Sequence, residues 1–179
     1  LPHPEANFFT PRPAVSIIAL GEPFEALTIR ALLEHLGFAV TLHLPGIPRD
    51  FLSLLALGVV APQTLIISAH GTRDGFVIGD VDPDIDPSLR ANGVITPSLL
   101  AGRVALPGCT VISTACCSAI FGDVFCAAAA YIAPHDYPSG NDVMLFIHLL
   151  FYEMIERSIS AVVAIPIVSK RLREQFAVQ

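Results

Sequence analysis

Five short apolar runs punctuate the chain, and between them apolar residues return at helical spacing. Val15-Ser-Ile-Ile-Ala-Leu20, closed by Gly21, has the near-continuous apolar pattern of a central parallel strand covered on both faces. Pro23 suits the first turn of a helix in which Phe24, Leu27, Ala31 and Leu32, with Ile29, Leu33 and Leu36, keep helical spacing until Gly37. Phe38 to Leu44 reads as a second strand, Asp50 as the cap of a short helix through Leu57, and Thr64 to Ala69 as a third strand. This βαβαβ alternation predicts a parallel, doubly wound sheet with right-handed crossovers.

Beyond the third strand come His70-Gly71, a hairpin around Phe76 to Ile78, and the acidic stretch Asp80-Val-Asp-Pro-Asp-Ile-Asp86. Thr96-Pro97 starts a short helix through Leu100. Thr110 to Thr114 is a fourth strand, running into Ala115-Cys116-Cys117-Ser118, and Ala127 to Ala133 is a fifth. Asn141 or Asp142 caps a long apolar helix that ends near Arg157. Ser160 to Phe176 is helical in pattern, with Pro166 as a kink or a late start. The expected fold is an α/β three-layer sandwich, a mostly parallel central sheet flanked by helices. The first thirteen residues hold four prolines and read as an arm (1–13) ahead of one domain (14–179).

Composition sharpens this picture. The chain of 179 residues is 53% hydrophobic and only 15% charged, which suits one domain whose strands are buried on both faces. The longest nearly uncharged apolar run, Val143 to Tyr152, falls well short of the roughly 20 residues a bilayer requires, so no membrane partner is expected. The opening residues lack a basic stretch followed by an apolar one, which makes the cytoplasm the expected compartment. A net charge of −6 with ten thinly scattered Lys and Arg offers no stripe for a phosphate backbone, and no nucleic-acid partner is expected. Cys109, Cys116, Cys117 and Cys126 lack paired CxxC spacing, so neither a metal site nor a disulfide framework is expected; their interest is as thiols.

In an open parallel sheet, functional groups collect beyond the carboxyl ends of the strands. The third strand runs into His70 and the fourth into Cys116; as neighbours their backbones would lie about 4.8 Å apart. An imidazole there can take the proton of a thiol and later protonate a leaving amine, and it is expected to hold Cys116 partly as thiolate. The backbone N–H groups of Gly71 and Cys116 are candidate oxyanion donors, each worth about 3 kcal/mol in acyl transfer. Cys109, Cys117 and Cys126 read as packing residues, with Cys117 turned to the opposite side. His135 is a second candidate base, and His148 reads as a core residue.

Three segments together, Leu65-Ile-Ile-Ser-Ala-His70-Gly71, Gly75-Phe-Val-Ile-Gly-Asp80 and Val111-Ile-Ser-Thr-Ala-Cys116-Cys-Ser118, give the chain its resemblance to the caspase-like clan of cysteine peptidases, which includes caspases, metacaspases and CHAT-type domains. Tyr131-Ile-Ala-Pro and a helix holding Phe151-Tyr152-Glu153 resemble the CHAT-type pattern after the nucleophile. The resemblance implies a cysteine endopeptidase acting on peptide or protein substrates without a cofactor, with Cys116 as nucleophile and His70 as base. Thr114 stands where caspases carry Gln and metacaspases Asp, a position that lines the substrate site. Glu22 lies at the edge where this clan often builds its primary specificity pocket, and an acid there suits a basic P1 side chain; a solvated surface carboxylate is the plain alternative. Some clan members need calcium, but the Asp80–Asp86 stretch lacks the glycine and glutamate of an EF-hand loop and reads as a solvated acidic loop. Two other functions fit the same residues: a catalytically silent binding or regulatory module, and a thiol hydrolase of a small amide or ester.

Overall fold

The computed structural model describes residues 12–56, 63–79, 93–172 and 176–178. In chain order the strands are β1 (Ala14–Ala19), β2 (Ala39–His43), β3 (Thr64–Ser68), β4 (His70–Gly71), β5 (Phe76–Val77), β6 (Val94–Ile95), β7 (Thr110–Ser113), β8 (Ala130–Pro134) and β9 (Phe176–Val178). The helices are α1 (Phe24–His35), α2 (Pro48–Ala56), α3 (Pro97–Leu100), α4 (Gly140–Arg157) and α5 (Ala161–Leu172), with a 3-10 helix at Ser118–Phe121.

The main sheet has the order β2-β1-β3-β7-β8-β9. Its first five strands are parallel, and β9 runs antiparallel to β8. Side-chain alternation along the strands makes two cores. Val15, Ile17, Ile66, Ile112 and Ile132 face α1, α4 and α5 and pack with Ile29, Leu33, Phe146 and Ile165. Ile18, Leu65, Ile67, Val111 and Tyr131 face the other way, against Phe51 and Leu55 of α2 and Phe76 of the β4-β5-β6 hairpin sheet. Helices on both faces of a mostly parallel sheet give the expected three layers.

Strand β1 is flanked by β2 on one side and β3 on the other, so the chain reverses its direction of travel across the sheet at β1. Connections from the carboxyl ends of β1 and β3 therefore diverge to opposite faces, which opens a crevice between them. Residues 1–11 of the expected arm lie outside the described residues. The Pro13 carbonyl already accepts the Ala39 N–H at 2.9 Å.

Several boundaries differ from the sequence expectation. Helix α2 begins at Pro48, which puts Asp50 inside its first turn rather than at its cap. Helix α4 is capped by Ser139, whose Oγ accepts the Asp142 N–H at 3.2 Å, not by Asn141 or Asp142. The fifth strand begins at Ala130 rather than Ala127. The last segment divides: α5 stops at Leu172, and Phe176–Val178 pairs with β8. Pro166 stays inside α5 on its exposed side, where the carbonyl it leaves unpaired can meet water. His148 is exposed on α4 rather than in the core.

Helices α4 and α5 share one buried carboxylate. The Glu153 side chain is 2% exposed and meets Arg157 one turn later and Arg171 of α5, the latter at 2.6 Å. Glu153→Ala strips both guanidinium groups of their partner. Because those groups are half exposed, the expected loss is about 1–3 kcal/mol. At roughly 2–4 °C per kcal/mol for a domain of this size, thermal denaturation should show a drop of several degrees. An unchanged melting temperature would mean that apolar packing alone seats α5.

Candidate active site

Strands β3 and β7 pair in parallel with Thr64 opposite Thr110 and Ile67 opposite Ser113. The ladder continues one step further, since the Thr114 N–H donates to the Ile67 carbonyl at 3.0 Å. Ser68 is thereby level with Thr114, and His70 and Cys116 each follow two residues later. Alternation puts Ser68 and Thr114 on the α1 side of the sheet. The two residues singled out from sequence thus leave the same carboxyl edge from neighbouring strands.

Gly71 shows how close the two segments come. A Cβ at this position would lie 3.0 Å from both the backbone N and the carbonyl C of Cys116, and would overlap its carbonyl oxygen. Only a residue without a side chain permits that approach. Within the hairpin, Thr72 and Gly75 exchange both backbone hydrogen bonds, at 2.9 and 3.3 Å. By antiparallel alternation the next pair, Gly71 and Phe76, is then a non-hydrogen-bonded pair. The Gly71 N–H consequently points away from β5, at the free edge of β4.

Aromatic packing ties the hairpin to the turn after Cys116. Phe76 stacks on Phe121 of the 3-10 helix with ring centroids 4.1 Å apart, and Phe51 of α2 meets Phe76 edge-on at 6.2 Å. The turn itself requires a left-handed residue, and Cys117 supplies it at φ 56°. That conformation costs a non-glycine residue about 1–2 kcal/mol. Hydrogen bonds around it offset the cost: Cys117 N–H to the Asp136 carbonyl at 2.9 Å, Ser118 Oγ to the Ala115 carbonyl at 2.6 Å, and the buried Tyr131 hydroxyl to the Ser118 carbonyl at 2.8 Å.

Solved structures contain the same architecture. The chain is similar to the crystal structure of the Arg specific cysteine proteinase gingipain R (RGPB), at a TM-score of 0.50 and 12% identity over 80% of this chain. The fold is caspase-like. The chain spans 36% of the length of that proteinase. No family model matches the chain, and no curated protein does.

Within this caspase-like edge, a small cavity of about 90 Å³ opens between the ends of β1 and β3, at the point where the sheet order reverses. It is lined by Glu22, Phe24, Glu25, Ser68, Ala69 and His70. Glu22 is exposed at its rim. Thr114 is buried; its hydroxyl donates to Glu25 Oε1 at 2.5 Å and lies 3.3 Å from the Ile67 carbonyl. It therefore meets the cavity through Glu25 rather than directly. The same Glu25 oxygen accepts the hydroxyl of buried Ser68 at 2.7 Å.

Glu25 is the residue that sequence reasoning missed. In the chain it is one acid in the first turn of a helix, a position that the helix dipole alone explains. The available signal was the matched pair of hydroxyl residues, Ser68 and Thr114, each two positions before a chemistry-bearing residue.

The thiols also differ from expectation. Burial pushes the Cys116 thiol above its ordinary range; the neighbouring Cys117 and the Glu25 carboxylate add to the rise, and a backbone hydrogen bond at Cys116 opposes it. The expectation that His70 holds Cys116 partly as thiolate is thus reversed in the ligand-free chain. Cys117 is buried, as a packing residue would be, and its thiol lies within reach of the Tyr137 hydroxyl. Cys109 is buried, with its thiol pushed up to about 11 chiefly by desolvation, whereas Cys126 is exposed rather than packed. His135 follows β8 at the same edge and is exposed. The Asp80–Asp86 stretch lies outside the described residues; among those described, no group of three or more metal-type ligands gathers.

Iodoacetamide followed by mass spectrometry should accordingly modify exposed Cys126 first, Cys116 second, and buried Cys109 and Cys117 last. Labelling of Cys116 should be slow at neutral pH and accelerate as pH rises through its elevated pKa, because only the thiolate reacts. Modification of Cys117 before Cys116 would contradict the arrangement. Gly71→Ala should displace Cys116 and destabilise the domain by roughly 1–3 kcal/mol, read by chemical denaturation.

Proposed function

We propose that this domain is a cysteine endopeptidase with Cys116 as nucleophile and His70 as general base and acid. The observation that carries the reading is the delivery of His70-Gly71 and Cys116 by adjacent parallel strands to one edge of a caspase-like sheet, with Gly71 pressed against the Cys116 backbone.

In the proposed reaction, Sγ of Cys116 bonds to the scissile carbonyl carbon as its proton passes to the His70 imidazole. Negative charge develops on the carbonyl oxygen, and the N–H groups of Gly71 and Cys116 are its donors. Collapse of this intermediate breaks the C–N bond, and His70 returns the proton to the departing amine. Water, with His70 as base, then hydrolyses the thioester and restores the thiol. The substrate is a peptide or protein, and no cofactor enters.

For specificity, Glu22 and Glu25 give the cavity beside His70 an acidic lining, which favours Arg or Lys at P1. The similar solved structure is that of an Arg specific proteinase, which agrees with this reading. Thr114 takes part indirectly, as the hydroxyl that holds Glu25.

A positional peptide library should select Arg or Lys at P1, and Glu22→Gln should weaken the selection. Cys116→Ala should abolish hydrolysis with the fold intact, and His70→Ala should lower kcat by roughly a hundredfold or more. Cys117→Ala should retain most activity. Turnover of a simple alkyl ester without peptide cleavage would instead identify a small-molecule thiol hydrolase, and the absence of both would identify a silent binding module. Selection of Asp or an apolar P1 residue would remove Glu22 from the account.

A further inference from the structure

One carboxylate touches both halves of the proposed site. Glu25 comes from the first turn of α1, yet its Oε1 accepts the hydroxyls of Ser68 and Thr114 at 2.7 and 2.5 Å. Each donor stands two positions before a residue of the proposed dyad, Ser68 before His70 and Thr114 before Cys116. Both hydroxyls are buried, so neither has water as an alternative partner. The same carboxylate lines the cavity beside His70.

We propose that Glu25 is a positioning residue that clamps the ends of β3 and β7 in register and holds in the cavity beside His70 a negative charge that a cationic substrate side chain neutralises. The first half rests on geometry alone; the second rests also on the peptidase reading given above. A shared acceptor fixes two hydroxyls at once, so the strand ends cannot slide or splay without breaking a charge-assisted hydrogen bond. Burial and the neighbouring Cys117 oppose thiolate formation at Cys116, and the Glu25 carboxylate adds to that opposition. Entry of a guanidinium or ammonium group into the cavity cancels the Glu25 contribution, so the thiol becomes more reactive when the correct side chain is seated.

The charged and titratable groups around this edge are Glu22 and Glu25 from the β1–α1 side, and His70 and Arg73 from the hairpin. Cys117 adjoins the thiol, and His135, Asp136 and Tyr137 follow β8. Among them Glu25 is the carboxylate that acts on the Cys116 thiol.

The test is the pH dependence of Cys116 alkylation by iodoacetamide, measured on the Cys116 peptide by mass spectrometry. Glu25→Gln retains an amide oxygen for both hydroxyls and removes the charge. It should shift the alkylation midpoint to lower pH and raise the rate at neutral pH measurably. Methylguanidinium should accelerate alkylation of the unmodified chain and have no effect on Glu25→Gln, whereas neutral methylurea should do nothing to either. An unchanged midpoint in Glu25→Gln, or equal acceleration of both proteins by methylguanidinium, would overturn the charge role. Where the variant folds poorly, the unmodified chain alone can still overturn the charge role, by showing no acceleration with methylguanidinium. Glu25→Asp, which keeps the charge but shortens the reach, should leave the midpoint in place while lowering kcat for a peptide more than it changes KM; unchanged kcat would overturn the clamp. Alkylation requires no hydrolysis. A chain that cleaves no peptide yet shows the expected shifts loses the peptidase reading and keeps the charge role, and the converse result separates them the other way.

Discussion

The in-register parallel pairing of β3 with β7 is the constraint on which the site depends. A parallel ladder offers evenly spaced hydrogen bonds, and a slip of one residue would turn every side chain of one strand to the other face. Here such a slip of β3 would carry Ile66 out of one core and Leu65 and Ile67 out of the other. The two apolar layers thus lock the register, and the register in turn sets Ser68 beside Thr114, two residues before His70 and Cys116. Packing far from the edge determines the chemistry available at it.

The strands were legible from the chain because burial on both faces leaves an apolar run that needs no tertiary information to recognise. The three layers followed from their alternation with helices, and both edge residues followed from where two of the runs end. What escaped was set by contacts between distant segments. Nothing local marks Phe176–Val178 as a strand, because its partner, β8, lies more than forty residues earlier in the chain. The cap of α4 was misplaced because Ser139, Asn141 and Asp142 are all competent caps and only the backbone path chooses among them. Glu25 escaped for the same reason as β9: its two partners are 43 and 89 residues away.

Hydroxyl residues before His70 and Cys116 illustrate a division of labour. Directly acidic residues at those positions would put charge between two buried strands, where desolvation is costly. Serine and threonine instead bury neutral groups, and a helix from the adjoining layer brings the carboxylate to the edge, where the cavity keeps it in reach of water and ligands. Thr114 in this place is therefore one half of a two-residue arrangement whose other half is Glu25.

The electrostatics of that arrangement work against a free thiolate, and the local structure leaves little room to avoid it. Cys116 sits between a carboxylate on the α1 side and a second thiol in a left-handed turn, and its partial burial raises the cost of charge further. A thiol so placed is protected from adventitious oxidation and alkylation, since both proceed through the thiolate. Productive chemistry then requires that something change the charge balance at the edge. His70 is exposed and leads into a two-residue strand at the free edge of a small hairpin sheet, whereas Glu25 is held by two buried hydroxyls. The fixed component is thus the Glu25 carboxylate, and the component open to solvent is the His70 imidazole. On the peptidase reading proposed above, a site built in this order would favour selectivity over resting reactivity, because Cys116 would gain when an incoming cation cancels the Glu25 charge.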